Sequence, residues 1–284
     1  MKLRKINLKL GIERPLRLLH LSDTHLSYAD ERDNQRKRDL AVSRAKNAFE
    51  TEPGSTMRHL DEALAYGKAH CELMIHTGDL IDFVSCRNLE LLEEKLSVMD
   101  SFFAAGNHEY SQYVGEAWED QAYKMQSFDR VQARVKNDLV FASRKIAGLN
   151  LVAVDNVYYN FTADQLERLK AEIRKGLPIL LMMHTPLHCD DLFRDRMSRP
   201  GAQGASLAGT PPELMKDYPE YRRRQQMPDA DTLAFIACVR SEPLIKAVAA
   251  GHVHCDFQTR LYGRIPMIVT GGGFDGFATE LNIE

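Results

Sequence analysis

The sequence predicts an α/β fold, and three observations carry that expectation. Short apolar runs end abruptly in polar donors: the run ending at Leu21 meets Ser22-Asp23-Thr24-His25, and the one at Leu73 leads to His76-Thr77-Gly78-Asp79. The run ending at Met183 meets His184, and Val248-Ala249-Ala250 meets Gly251-His252-Val253-His254. Stretches of helical length and composition separate these runs, as strand and helix alternation requires. Side chains of separate strands converge at the strand ends of an open α/β sheet.

Taken in order, residues 16–21 form a buried strand entering a loop. Residues 30–49 are charged and free of Gly and Pro, which predicts a helix broken at Glu52-Pro53-Gly54-Ser55. Ser55 or Thr56 is the expected cap of a second helix reaching His70, with Met57, Leu60 and Leu64 at helical spacing. A strand at 73–77 and a helix at 88–99 follow, and residues 101–105 lead into Gly106-Asn107-His108-Glu109. The polar stretch 111–134 shows no clear periodicity. Strands at 139–143 and 149–154 flank a turn at Gly148. Thr162 caps a helix with Leu166, Leu169 and Ile173 on one face, Gly176 ends it, and 178–183 is a strand.

Composition then changes. Residues 185–243 hold six prolines before Pro243 and arginine clusters at Arg194, Arg196, Arg199 and Arg222–Arg224. This stretch reads as an insertion over the site within a single domain of residues 1–284, with one helix at 231–240. Strands at 244–249, 256–261, 265–270 and 278–283 close the chain. No internal repeat is evident.

The chain has 284 residues, 44% hydrophobic and 27% charged, as soluble globular proteins do. A net charge of −3 gives no global attraction to nucleic acid or acidic membranes. Five cysteines without a C-x-x-C pair fit a reducing compartment. The N-terminus lacks a signal-peptide core, and the longest apolar run, 177–183, is too short to span a bilayer. A cytoplasmic protein is the expectation.

Asp23, His25, Asp79, Asn107, His184, His252 and His254 offer oxygen and imidazole donors without a thiolate. Such a set suits two divalent first-row ions with one carboxylate shared, Mn²⁺ first and Fe, Zn, Co or Ni as alternatives. Paired ions about 3.5–4 Å apart stabilise in-line displacement and acidify a water between them. Gly78, Gly106 and Gly251 precede ligands where the backbone has to turn sharply. Asp23 and His25, like His252 and His254, are two residues apart, which in extended backbone sends both side chains to one side. Metal affinity should fall below the imidazole range near ~6.5.

D-x-H at Asp23, G-D-x-x-D at Gly78–Asp82, G-N-H-E at Gly106–Glu109, the histidine at 184 and G-H-x-H at Gly251–His254 stand in one order. This ordered set resembles the calcineurin-like metallophosphoesterase family over residues 23–254. The resemblance implies a two-sheet αββα sandwich with the site at one rim. It implies that Asp23, His25 and His254 hold one ion, that Asp79 bridges, and that Asn107, His184 and His252 hold the other. His108 would protonate the leaving oxygen, Glu109 would orient His108, and Asp82 would support the ligands from behind. Asp155, at a strand end, is a further supporting candidate. The implied activity is hydrolysis of small-molecule phosphate esters by a metal-bridging hydroxide, phosphodiesters slightly ahead of phosphomonoesters. The arginine-bearing blocks of the protein Ser/Thr phosphatases are missing from the sequence, and neither the basic groove nor the partner regions of a nuclease are evident, although a local basic groove stays open. The alternative is a catalytically silent scaffold of the same fold that binds a protein partner; the complete set of donors counts against it.

Other residues have plainer readings. His20 and His76, inside apolar runs, are expected as hydrogen-bonded core. His59 and His70 belong to a solvated helix face, His188 to a surface loop or a substrate contact, and Cys255 and Met182-Met183 to packing. Arg222–Arg224 is a solvated face or a phosphate clamp, the former preferred, and the charged helix around 32–46 is a wet surface.

Overall fold

Central strands with apolar side chains on both faces need cover on both sides, and this requirement sets the layers. The computed structural model describes residues 1–115 and 120–284, so that part of the 111–134 stretch, residues 116–119, lies outside it. Its strands are β1 (Lys2–Leu8), β2 (Leu16–Leu21), β3 (Leu73–His76), β4 (Ser101–Phe103), β5 (Phe141–Ile146), β6 (Leu149–Val154), β7 (Ile179–Met182), β8 (Ile245–Ala250), β9 (Phe257–Leu261), β10 (Ile265–Val269) and β11 (Phe277–Ile283). The helices are α1 (Gln35–Arg44), α2 (Ser55–His70), α3 (Cys86–Leu96), α4 (Gln121–Met125), α5 (Phe128–Gln132), α6 (Ala163–Ile173), α7 (Asp190–Met197), α8 (Glu220–Gln226) and α9 (Ala230–Ser241). A π turn, Ala45–Phe49, continues α1.

The strands form two mixed sheets, ordered β1-β11-β2-β3-β4 and β5-β6-β7-β8-β10-β9. Leu18, Leu73 and Phe102 of the first meet Leu151, Leu180 and Ala249 of the second in a core between the sheets. The opposite face of the first sheet, with Leu19, Leu21 and Met74, packs on Leu60 and Leu64 of α2 and Leu89 and Leu92 of α3. The outer face of the second, with Val152, Leu181 and Val248, packs on Leu169, Leu192 and Phe235 of α6, α7 and α9. The order helix, sheet, sheet, helix is the expected αββα sandwich. No helix among the described residues is long and apolar enough to cross a membrane.

Local readings differ in three places. β1 went unread because Lys2, Arg4 and Lys5 interrupt its alternation, yet it runs parallel to β11 from Lys2↔Phe277 to Leu8↔Ile283 and buries Ile6 and Leu8. Charge on such an edge strand discourages pairing with another chain. Ser55 and Thr56 do not cap α2: left-handed Gly54 precedes it (φ 76°), and the two hydroxyls bond Thr51 N and Glu50 instead. Residues 185–243 carry three helices where one was expected. Pro219 stands immediately before α8, Asp229 accepts from Thr232 N at the start of α9, and Asp190 and Asp191 fill the first turn of α7. Pro219 thus stands at a helix start, where a missing N–H costs nothing.

Candidate metal centre

The parallel strands β2, β3 and β4 of one sheet and β7 and β8 of the other end at a common rim. Asp23 and His25 follow β2, Asp79 follows β3, Asn107 and His108 follow β4, His184 follows β7, and His252 and His254 follow β8. Two hydrogen bonds join the rims. His252 N donates to Asp23 Oδ2 at 2.8 Å, and His184 Nδ1 donates to Thr77 O at 2.7 Å.

The two-residue spacings do not work through extended backbone. Asp23, His25, Asp79, His252 and His254 all take left-handed φ values, between 49° and 67°. Each such residue costs about 1–3 kcal/mol and persists only where surrounding contacts enforce it. Asp23 N and His25 N are held by Gly78 O and Asp79 O, both at 2.9 Å. Of the three glycines, Gly78 makes the sharp turn (φ 94°). Gly106 and Gly251 serve close approach, since a Cβ at Gly251 would lie 1.8 Å from Ser22 Oγ and one at Gly106 2.2 Å from Asp79 Oδ1.

Six of the seven predicted donors come together, and Asn107 stands in the loop whose next residue, His108, donates its N–H to Asp79 Oδ1. Asp23 Oδ1 lies 3.3 Å from His254 Nε2 and 3.8 Å from His25 Nε2, and those two nitrogens are 3.0 Å apart. Asp79 Oδ2 is 3.7 Å from His25 Nε2 and 3.1 Å from His184 Nε2, which lies 3.1 Å from His252 Nδ1. One carboxylate oxygen therefore faces both groups of donors, which form the clusters Asp23-His25-Asp79-His254 and Asp79-His184-His252. Asp23 Oδ1 and Asn107 Oδ1 are buried without a hydrogen-bond partner. Buried oxygens left bare are costly. Donors about 2.0–2.2 Å from one cation sit ~3 Å apart at right angles, so the spacing and the bare lone pairs fit metal ions.

Residues 16–256 match the sequence profile of the calcineurin-like phosphoesterases. The chain belongs to that family.

Its donor clusters are of the kind that a metal-dependent member of this family needs. It is 26% identical over 176 residues to the DNA double-strand break repair protein Mre11 of Sulfolobus acidocaldarius, covering 60% of this chain and 41% of that protein's length. Its fold is similar to that of a dimetal phosphatase from Danio rerio, with TM-score 0.50 and 14% identity over 91% of this chain and 88% of the other. A putative 5′-nucleotidase from Staphylococcus aureus gives TM-score 0.50 and 12% identity over 92% and 49%.

Around these donors, the supporting groups differ in part from expectation. Asp82 is the hub: its carboxylate accepts from His25 Nδ1 (3.1 Å) and Arg44 (2.6 and 2.9 Å) and faces His108 Nδ1 at 3.0 Å. Glu109 does not orient His108. Its carboxylate accepts from the backbone N–H groups of Asp79, Leu80, Ile81 and Gly106, fixing the loop that presents Asp79. Asp155 belongs to none of the donor clusters and pairs with Lys124. His59 is not a solvated ring; its Nδ1 donates to Phe274 O at 2.8 Å. His188 stands apart beside Asp190 (3.5 Å), and His20 and His76 are hydrogen-bonded core, as expected. The sequence reading missed Arg44, Phe49 and Tyr159. Phe49 stacks on His25 at 4.2 Å, and the Tyr159 hydroxyl bonds His252 Nε2 at 3.1 Å.

Burial pulls the His184 pKa down, but the Asp79 and Asp23 carboxylates outweigh it and raise it to about 9. Burial likewise acts against His108, and Asp79 and Asp82 raise it to about 10. Burial and Asp79 push Glu109 up to about 7, against its backbone donors. A cation on Asp79 would oppose each of these shifts. A protonated His184 must lose its proton to bind metal, so the window lies above the ordinary imidazole range. Metal affinity is expected to rise with pH through neutrality toward about 9. Calorimetric titration of Mn²⁺ in buffers of different ionisation enthalpy checks this. Absence of proton release at neutral pH would contradict it.

Proposed function

We propose that this phosphoesterase hydrolyses phosphodiesters in preference to phosphomonoesters, with His108 delivering a proton to the departing oxygen. The observation that carries the proposal is the setting of His108. Its Nδ1 donates to Asp82 O at 2.7 Å and faces Asp82 Oδ1 at 3.0 Å. Nε2 has no protein partner among the described residues, and the side chain is 16% exposed at the edge of the cluster. An imidazolium held in this way offers one proton outward, toward a bound ester.

In this reading Asp23, His25 and His254 hold one ion, Asn107, His184 and His252 the other, and Asp79 both, with Mn²⁺ the preferred metal. Two bound cations would supply an acidified water and neutralise phosphate charge. Hydrolysis replaces the P–O bond to the leaving group by one to a water oxygen, and the departing alkoxide takes its proton from His108 Nε2. Asp82 retains the Nδ1 proton throughout and so fixes the ring.

The diester preference draws support from Phe49 and Phe274, whose ring centroids lie 5.0 Å apart, with Phe274 5.1 Å from His254. A diester has a second esterified arm that can lie on this aromatic surface, whereas a monoester presents only charge there. The Mre11 relative acts in DNA repair by its name, and the DNA backbone is a phosphodiester. We read residues 1–284 as one catalytic domain whose 185–243 segment faces the substrate.

The test compares bis(4-nitrophenyl) phosphate with 4-nitrophenyl phosphate on Mn²⁺-loaded protein. A higher kcat/KM for the diester is expected, with activity lost on chelation and restored by Mn²⁺. A monoester preference would overturn the diester assignment. If neither ester is hydrolysed, the catalytically silent scaffold becomes the better reading.

A further inference from the structure

Beside His254 the arginine-rich segment forms a cleft of about 470 Å³, lined by Arg196, Arg199, Arg222, Gln203, Ser206 and His254 itself. We infer that this cleft binds a second phosphate of the substrate, so that the substrate is a small molecule carrying two phosphates, one at the metal centre and one on the arginines. The inference rests on the reading of the seven donors as the catalytic centre, because it places the second phosphate relative to the first.

Three guanidiniums line the cleft and one carboxylate answers them. Asp195 pairs with Arg199 at 2.8 Å. Among the described residues no carboxylate pairs with Arg196 or Arg222. Arg196 is partly buried on α7; one of its terminal nitrogens donates to Val253 O at 3.0 Å, and its Nε is buried without a partner. Arg222, from α8, is partly buried; it donates to the amide oxygen of Gln225 at 2.9 Å and lies over the Tyr221 ring, 5.1 Å from its centre. A guanidinium drawn out of water without a counter-charge is unfavourable until an anion arrives. Its planar fork suits phosphate oxygens, which it can engage with two parallel hydrogen bonds.

The position ties the cleft to the reaction. Val253, whose carbonyl anchors Arg196, lies between the two donors His252 and His254, and the His254 ring belongs both to the cleft wall and to the Asp23 cluster. A phosphate on the arginines therefore neighbours the ester held by the metals. The volume matches small-molecule sites, which span about 300–1,000 Å³. A net charge of −3 adds no global attraction for a polynucleotide. Proline and arginine read from sequence as an insertion thus acquire a job: they would select for the second phosphate.

The experiment uses the 4-nitrophenyl ester of thymidine 5′-phosphate, with and without a 3′-phosphate, on the full Mn²⁺-loaded chain. The scissile bond is the same in both. The 3′-phosphate should lower KM about tenfold, the scale of a charge-assisted bidentate contact. Arg222→Ala should remove that advantage while leaving kcat/KM for the single-phosphate ester within about twofold. Equal KM for the two esters, or equal losses on both, would overturn the inference. Calorimetric binding of thymidine 3′,5′-bisphosphate to metal-free protein gives a second readout, expected to weaken in Arg222→Ala. Should neither ester be cleaved while the bisphosphate still binds through Arg222, the catalytic reading fails and the phosphate cleft stands. Binding indifferent to Arg222 would refute the cleft even in an active enzyme.

Discussion

His108→Gln should lower kcat for an alkyl phosphodiester by about 10²–10⁴-fold, the usual worth of a positioned general acid. Both ions should remain bound, because His108 belongs to neither ligand cluster that contains Asp79. The effect should depend on the leaving group. An alkoxide is a poor leaving group until protonated, whereas 4-nitrophenolate departs without a proton. The loss should accordingly be several times smaller on bis(4-nitrophenyl) phosphate than on a methyl or nucleoside ester. Asp82→Asn separates positioning from proton donation. It weakens the hydrogen bonds to His108, His25 and Arg44 together, so metal content should fall along with rate. Equal losses on alkyl and aryl esters in His108→Gln, with metal retained, would show that His108 binds phosphate and donates no proton.

What the sequence made legible here is local and repeated. Each donor stands at the end of an apolar run, and a run of four residues buried on both faces, such as Leu73–His76 or Ile179–Met182, leaves no doubt where its ligand emerges. The αββα order came from the resemblance, because periodicity identifies a buried strand without saying which sheet it joins. Backbone conformation was hidden for a physical reason. The i, i+2 spacing is neutral between extended and left-handed geometry, and only contacts across the rims, such as His252 N to Asp23 Oδ2, select the latter. Glu109 yields its expected partner His108 to Asp82 for a similar reason. Adjacency to His108 suggested Glu109, but the turn at His108–Tyr110 aims that carboxylate back at four loop N–H groups. Arg44, Phe49 and Tyr159 come from segments that carry no motif. Their roles depend on where α1 ends and on the left-handed Tyr158-Tyr159 turn, neither of which leaves a periodic trace.

Asp79→Asn should remove both ions, whereas Asp23→Asn should remove chiefly the one bound between His25 and His254. The difference follows from which oxygen is already committed. Asp79 Oδ1 accepts the His108 N–H at 2.8 Å, so an amide at this position keeps its oxygen there and turns its NH₂ inward. The group then facing His25 and His184 would be a donor where both sites need an acceptor. At position 23 the oxygen accepting from His252 N is likewise retained, and the NH₂ replaces Oδ1, which faces His254 and His25 alone. The donors Asn107, His184 and His252, with Asp79, are untouched by that change. Both variants should fold, since an amide NH₂ can hydrogen-bond to the facing imidazole nitrogens that otherwise confront one another. Metal content of dialysed protein by elemental analysis decides the matter. The Asp23 variant should retain about half the wild-type metal and the Asp79 variant almost none, as a shared carboxylate between paired ions requires. Equal metal loss in the two variants would contradict a carboxylate shared at Asp79 and place each aspartate at a separate ion.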